Sequence, residues 1–219
     1  MDVIYLAAGL GMRANLKIPK QFYRLYGKPL FIYALEVLQK HKSVESIVIT
    51  YNAEFKSEYK KILKDYGIKN YILVEGGNTR QVSVYKALNF VKSNNVIIHE
   101  AARPMISSEF IDEIISSREE VAVVPTIHIP FTVSIGNEYM QEMLNRDKLR
   151  NIQLPQYYDT QILKQAHEKA IEDHFFSTED STLVFRMNKK VKFIAGRESN
   201  IKVTTKRDII MLEGYLNGR

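Results

Sequence analysis

The chain has 219 residues, 45% hydrophobic and 26% charged, the balance of an ordinary globular protein with enough length for a full core. No run approaches the roughly 18 consecutive apolar residues of a membrane span. The absence of cysteine excludes disulfides and thiolate chemistry. The N-terminus enters an apolar run with no basic leader, so a cytoplasmic protein without a secretory signal is expected. The net charge of +6 suits a site that holds several phosphates. Its Lys and Arg residues are nevertheless scattered among Asp and Glu, and no RNA-recognition motif is visible. Neither nucleic acid nor membrane is therefore an expected partner.

In chain order, residues 3–7 are a short apolar run that meets glycines at once, the pattern of a buried strand entering a phosphate-type loop. Residues 29–40 carry Leu30, Ile32, Tyr33, Leu35, Val37 and Leu38 at spacings closer to a buried helix than to a strand. The β-branched run at 46–51 reads as the second strand. A helix at 55–66 follows, with Gly67 as its C-terminal glycine. Residues 71–75 form a third strand that ends at Gly76-Gly77, 80–91 a helix, and 95–99 a fourth strand. A helix at 107–118 takes Ser107 or Ser108 as its N-cap, and 120–125 is a fifth strand. This alternation predicts an α/β fold with a doubly wound, mainly parallel sheet in a single domain. Residues 127 to about 158 break the rhythm with alternating segments and a turn at Gly136-Asn137, which reads as a β-arm. A helix at 160–172, a strand at 190–195 and a helix at 206–217 complete the chain.

In such sheets ligands gather beyond the carboxyl ends of the strands. The distinctive residues fall there: Gly9, Gly11 and Arg13 after the first strand, Gly76-Gly77 after the third, and 100–104 after the fourth. In Ala7-Ala8-Gly9-Leu10-Gly11-Met12-Arg13, small residues let backbone N–H groups bend around phosphate oxygens. Arg13, with Lys20 of Pro19-Lys20-Gln21, supplies cations to a triphosphate as its leaving group departs. The spacing matches neither the dinucleotide fingerprint nor Walker A, and alone it equally describes a strand-to-helix turn with two surface cations. Glu100, at a strand end facing a triphosphate, is the oxygen donor that Mg²⁺ prefers. His99 reads as a packed strand-end residue and not as a base.

The block from Ala7 to Gln21, followed by Leu25-Tyr26-Gly27-Lys28-Pro29-Leu30, resembles the nucleotidyltransferase family that includes 2-C-methyl-D-erythritol 4-phosphate cytidylyltransferase and ribitol-5-phosphate cytidylyltransferase. The resemblance continues through Gly76-Gly77-Asn78-Thr79-Arg80-Gln81-Val82-Ser83-Val84 and His99-Glu100-Ala101-Ala102-Arg103-Pro104. It runs on to Arg146, Pro155-Gln156 and Ser199-Asn200-Ile201-Lys202-Val203-Thr204. It implies a Rossmann-like nucleotidyltransferase that uses CTP and a divalent cation such as Mg²⁺, and works as a homodimer whose β-arms reach across to the partner's acceptor site. By that resemblance Ala7, Ala8, Gly9, Gly11, Gly76, Gly77 and Ser83 bind the nucleotide, the glycine backbone and the serine hydroxyl reading cytosine. Arg13, Lys20 and Lys202 are catalytic, Glu100 faces the metal, and Thr132, Arg146 and Thr178 surround the acceptor phosphate. Arg103 has two open roles, ordering its loop or touching the acceptor.

Three positions depart from the family pattern: Glu100 and Phe131 stand where the family has aspartate, and Leu154 where it has threonine. The implied reaction is attack by a polyol phosphate oxygen on the α-phosphorus of CTP, giving a CDP-alcohol and pyrophosphate. Methylerythritol 4-phosphate, for isoprenoid biosynthesis, is the leading acceptor. Ribitol 5-phosphate, for surface polymers, is the alternative, and an inactive nucleotide-binding homologue is a more distant one.

Overall fold

The computed structural model describes residues 1–9 and 18–217. Its centre is an eight-stranded sheet. Strand β1 (Asp2–Leu6) lies between β4 (Ser46–Tyr51) and β6 (Asn95–Glu100), parallel to both, and β5 (Tyr71–Glu75) extends the sheet beyond β4. On the other side β11 (Gln156–Asp159) runs antiparallel between β6 and β7 (Ala122–His128). Strand β7 also pairs with β10 (Arg150–Ile152) and, in parallel, with β12 (Lys192–Ala195). A separate two-residue ladder joins β2 (Arg24–Leu25) to β3 (Lys28–Pro29), with Tyr26 at φ 47° and Gly27 at φ 79° in its turn.

Side-chain alternation along these strands explains why helices cover both faces. Val3, Tyr5, Ile47, Ile49 and Ile97 point to one side, where they pack with α1 (Leu30–Lys40) and α2 (Lys56–Asp65). Ile4, Val48, Val96 and Ile98 point to the other, against α3 (Arg80–Leu88), α5 (Thr160–Glu172) and α6 (Asp180–Arg186). Helix α1 begins where Pro29 presets the backbone and supplies no donor to a turn that needs none, and it buries Leu30, Phe31, Ile32, Ala34, Leu35 and Leu38. Each large side chain so buried is worth roughly 1.5–3 kcal/mol of transfer free energy. Helix α4 (Ser108–Ser116) is capped by the Ser107 hydroxyl, one of the two expected serines, and packs Phe110 and Ile114 on Val123 and Tyr157. Helix α7 (Lys206–Asn217) sets Ile209 and Leu212 on Leu25, Leu30, Met105 and Val203.

The predicted strands and helices are present with shifts of a few residues at their ends: the helix read at 80–91 stops at Leu88, and the strand read at 120–125 runs from Ala122 to His128. Within the segment read as an arm, β8 (Ser134–Gly136) and β9 (Met140–Met143) form their own ladder, while β10 and β11 return to the main sheet. Helix α6 was not anticipated.

Candidate active site

The carboxyl ends of β1, β4, β5 and β6 surround a cleft of about 670 Å³. Its wall includes Ala7, Ala8, Gly9, Lys20, Gly77, Ser83, Glu100, Thr178 and Lys202, nine predicted site residues drawn together from both ends of the chain. Gly11 and Arg13 lie outside the described residues. A second cavity of about 890 Å³ opens between α6 and β12 and contains none of the predicted residues.

The floor is built by backbone hydrogen bonds. Ala7 N–H donates to the Thr50 carbonyl at 3.1 Å and to Thr50 Oγ1 at 3.2 Å, which pins the end of β1 to β4. The Tyr59 hydroxyl donates to the Ala7 carbonyl and accepts from Gln21 Nε2 at 2.9 Å, all three groups being buried. This chain sets the turn at Lys20–Phe22 beside β1, and Phe22 packs its ring on Phe31, Phe55 and Tyr59. Lys20 Nζ donates to the Val203 carbonyl at 2.9 Å, so its ammonium stands next to the segment that carries Lys202.

Beyond β5, Gly76 is a steric necessity. A Cβ there would stand 2.5 Å from Ala8 Cβ and 3.2 Å from Ser83 Oγ, and one at Gly77 would collide with Val82. The Ser83 hydroxyl accepts from Gly77 N–H at 2.9 Å and donates to the Thr79 carbonyl at 2.8 Å. It therefore braces the loop that leads into α3, whose N-cap is Thr79.

Glu100 ends β6, 7% exposed. Its Oε1 accepts from Arg103 Nε at 3.0 Å, and its Oε2 meets Lys202 Nζ at 2.9 Å. Burial alone would raise the carboxyl's pKa, but Lys202 and then Arg103 outweigh it and hold the group below its ordinary range. Arg103 is spent inward: Nη1 donates to the Asn200 carbonyl at 2.7 Å and Nη2 to that of Ile152 at 3.4 Å. Its guanidinium orders the loop and is absent from the cleft wall. His99 is fully buried, its pKa lowered to about 4, chiefly by that burial. The neutral ring donates from Nε2 to the Arg103 carbonyl at 2.9 Å, the role of a packed residue.

These contacts bear on the metal. Both Glu100 oxygens already face cations, and among the described residues no three His, Cys, Asp or Glu side chains form a metal-holding group. With both oxygens so engaged, the Glu100 carboxylate does not fit direct ligation of Mg²⁺, which beside a nucleotide takes one or two carboxylates and otherwise phosphate and water oxygens. Thr132 and Arg146 sit on the exposed arm, away from their own chain's cleft, with Arg146 Nη1 on the Pro130 carbonyl at 3.2 Å. Leu154, which stands where the family has threonine, is buried in the core cluster that includes Tyr158 and Leu163.

Some wall residues escaped the sequence reading as functional candidates: Thr50, Asn52, Asn78, Thr79, Arg80 and Thr204. Arg80 and Asn78 stood inside a recognised motif, so their placement beside Gly77 was available; Thr50, near the end of an ordinary strand, and Asn52, just after it, carried no mark.

A sequence model of the 2-C-methyl-D-erythritol 4-phosphate cytidylyltransferase family matches residues 1–218. Among curated relatives of that name, the protein of Dictyoglomus thermophilum is 37% identical over 222 residues, covering 98% of this chain and 95% of its own. That of Bacillus cytotoxicus is 33% identical over 219 residues, covering 98% and 97%. The crystal structure of 4-diphosphocytidyl-2C-methyl-D-erythritol synthase from Anaerococcus prevotii superposes with a TM-score of 0.86 at 30% identity, covering 99% of this chain and 97% of that one. The bifunctional IspDF of Campylobacter jejuni gives 0.82 at 34% identity, covering 94% of this chain and 52% of its own. With the family's α/β nucleotidyltransferase fold and a match along nearly its whole length, the chain belongs to the 2-C-methyl-D-erythritol 4-phosphate cytidylyltransferase family.

Proposed function

We propose that this protein transfers the cytidylyl group of CTP to 2-C-methyl-D-erythritol 4-phosphate, releasing pyrophosphate and forming the CDP-alcohol used in isoprenoid biosynthesis. The observation that carries this reading is the convergence of Lys20, Lys202, the Gly76-Gly77 loop and Thr178 on one cleft, within a chain matched by the family along 1–218.

An acceptor phosphate oxygen attacks the α-phosphorus, and the bond from that phosphorus to the bridging β-phosphate oxygen breaks. The attacking phosphate is already anionic near neutral pH, so no strong base is needed, and none is offered by His99. Alignment and charge neutralisation then supply the catalysis. Lys20 and Lys202 stabilise charge gathering at the α-phosphate, and Arg13 holds the departing pyrophosphate. Glu100 holds the Lys202 ammonium in place, with Arg103 securing Glu100 from behind. A divalent cation that enters with CTP would be held by phosphate oxygens and water, with no direct bond to Glu100.

The acceptor phosphate meets Thr178 of the same chain and, by the family resemblance, Thr132 and Arg146 from a second copy. Exposed Phe131, Tyr139, Met140 and Met143 on the arm support such a homodimer, because an apolar surface of this kind favours a covered state. No helix among the described residues is long and apolar enough to cross a membrane. The test is pyrophosphate release from CTP with methylerythritol 4-phosphate, against ribitol 5-phosphate and against the other nucleoside triphosphates. Release confined to CTP and methylerythritol 4-phosphate supports the assignment. Preference for ribitol 5-phosphate would move the protein to surface-polymer synthesis.

A further inference from the structure

Thr178 lies on a short stretch between α5 and α6 in which Phe175 packs on the core while Phe176, two residues before Thr178, is 58% exposed. Such a stretch needs external ties to present one hydroxyl in one place. Besides the local bonds between the Ser177 hydroxyl and the Glu179 backbone, ties come from two consecutive residues in the first turn of α3, the helix that follows the nucleotide loop. Gln81 is 7% exposed; its Oε1 accepts from Ser177 N–H at 2.9 Å and its Nε2 donates to the Phe175 carbonyl at 3.2 Å. Arg80 Nη2 meets Asp180 Oδ2 at 2.6 Å, and the other oxygen of that 1% exposed carboxylate accepts from His167 Nε2 on α5 at 3.0 Å. Thr178 is thus bracketed, one residue after the Gln81 tie and two before the Arg80 tie. Gly77, Thr79 and Arg80, at the same end of α3, line the cleft.

We infer that Gln81 is a positioning residue for the acceptor. Through Ser177 and Phe175 it fixes Thr178 to the helix that frames the nucleotide, so that the acceptor phosphate and the α-phosphorus are registered against one rigid element. The inference rests on the acceptor role proposed for Thr178. Gln81 touches neither substrate in this scheme; its amide is used up on two backbone groups. The Arg80–Asp180 pair anchors the far side of the same stretch and holds it in place when the Gln81 tie is removed, which leaves Thr178 mobile without unfolding α6.

The test is steady-state kinetics of the full-length enzyme with CTP and methylerythritol 4-phosphate for Gln81→Met, Thr178→Val and the double variant. Gln81→Met keeps the side-chain volume and removes both bonds; two such neutral bonds correspond to a rise of roughly 10-fold in the acceptor KM. The CTP KM stays within about twofold and kcat at saturating acceptor is largely retained, a split that loss of fold would not produce. In the Thr178→Val background the same Gln81 change adds little, because its effect runs through that hydroxyl. Gln81→Leu also removes both bonds without burying a charge, so it raises the same parameter and serves if the methionine variant does not fold. An unchanged acceptor KM in a folded Gln81 variant, or equal rises in both KM values, overturns the inference while Thr178→Val still raises the acceptor KM. If Thr178→Val itself leaves the acceptor KM unmoved, the acceptor role of Thr178 falls and the inference falls with it.

Discussion

Replacing Glu100 by glutamine isolates the electrostatic knot at the end of β6. The side chain is 10% exposed and faces Arg103, 9% exposed, and Lys202, 40% exposed. Removing one partner of a buried pair costs about 3–5 kcal/mol when the other is left uncompensated. Here the amide oxygen still accepts from Arg103 Nε, and water reaches Lys202, so the loss at neutral pH should be about 2–3 kcal/mol. The sign with pH follows from the direction of the shift. The folded carboxyl titrates below its ordinary 4.5, so the unfolded chain binds the proton more readily. The contribution of Glu100 is therefore complete above that value and disappears as pH falls below it, through the lower folded pKa. Urea unfolding of the two proteins should show midpoints well apart at pH ~7 and converging as the pH falls below 4.5. A gap of the same size at both ends would refute the ion-pair account, leaving a packing defect as the cause.

Lys20→Ala should lower turnover by roughly 10²–10³-fold with the melting temperature nearly unchanged, because its task is to stabilise charge at the reacting phosphate. Near-normal turnover would remove Lys20 from the mechanism. Gly76→Ala must displace Ala8, which stands 2.5 Å from the new Cβ, and should raise the CTP KM roughly 10-fold while leaving the acceptor KM close to that of the parent. Tyr139→Asp combined with Met140→Asp should shift the protein from dimer to monomer in light scattering and raise the acceptor KM, since Thr132 and Arg146 would no longer reach a second cleft. A parent protein that is already monomeric and active at assay concentration would contradict the arm's role.

The parallel half of the fold was legible because buried strands announce themselves: Ser46–Tyr51 and Tyr71–Glu75 are short apolar, β-branched runs closed by polar or glycine residues, and they formed with the predicted bounds. Helix α6 was not legible. It spans seven residues, opens on Asp-Ser-Thr, and owes its place to Leu183 and Val184 in the core and to the Asp180 contacts with Arg80 and His167. Strands β10 and β11 were folded into the arm reading because three- and four-residue segments carry too little periodicity to reveal that β7 would accept them. The site shows the same division. Lys20, Gly77, Glu100 and Lys202 were readable as types in motifs, but what each touches was not. Glu100 and Lys202 are 102 positions apart in sequence (202 less 100) and only 2.9 Å apart in space. The inward turn of Arg103 and the core placement of Leu154 likewise depend on partners brought in by the sheet's crossovers.

The most direct measurement follows oxygen. Methylerythritol 4-phosphate labelled with ¹⁸O throughout its phosphate is incubated with CTP and the enzyme, and the products are weighed by mass spectrometry. Attack by the acceptor phosphate on the α-phosphorus predicts a CDP-alcohol that retains every labelled oxygen, together with unlabelled pyrophosphate. Label in the pyrophosphate, or release of CMP with no CDP-alcohol, would contradict the account.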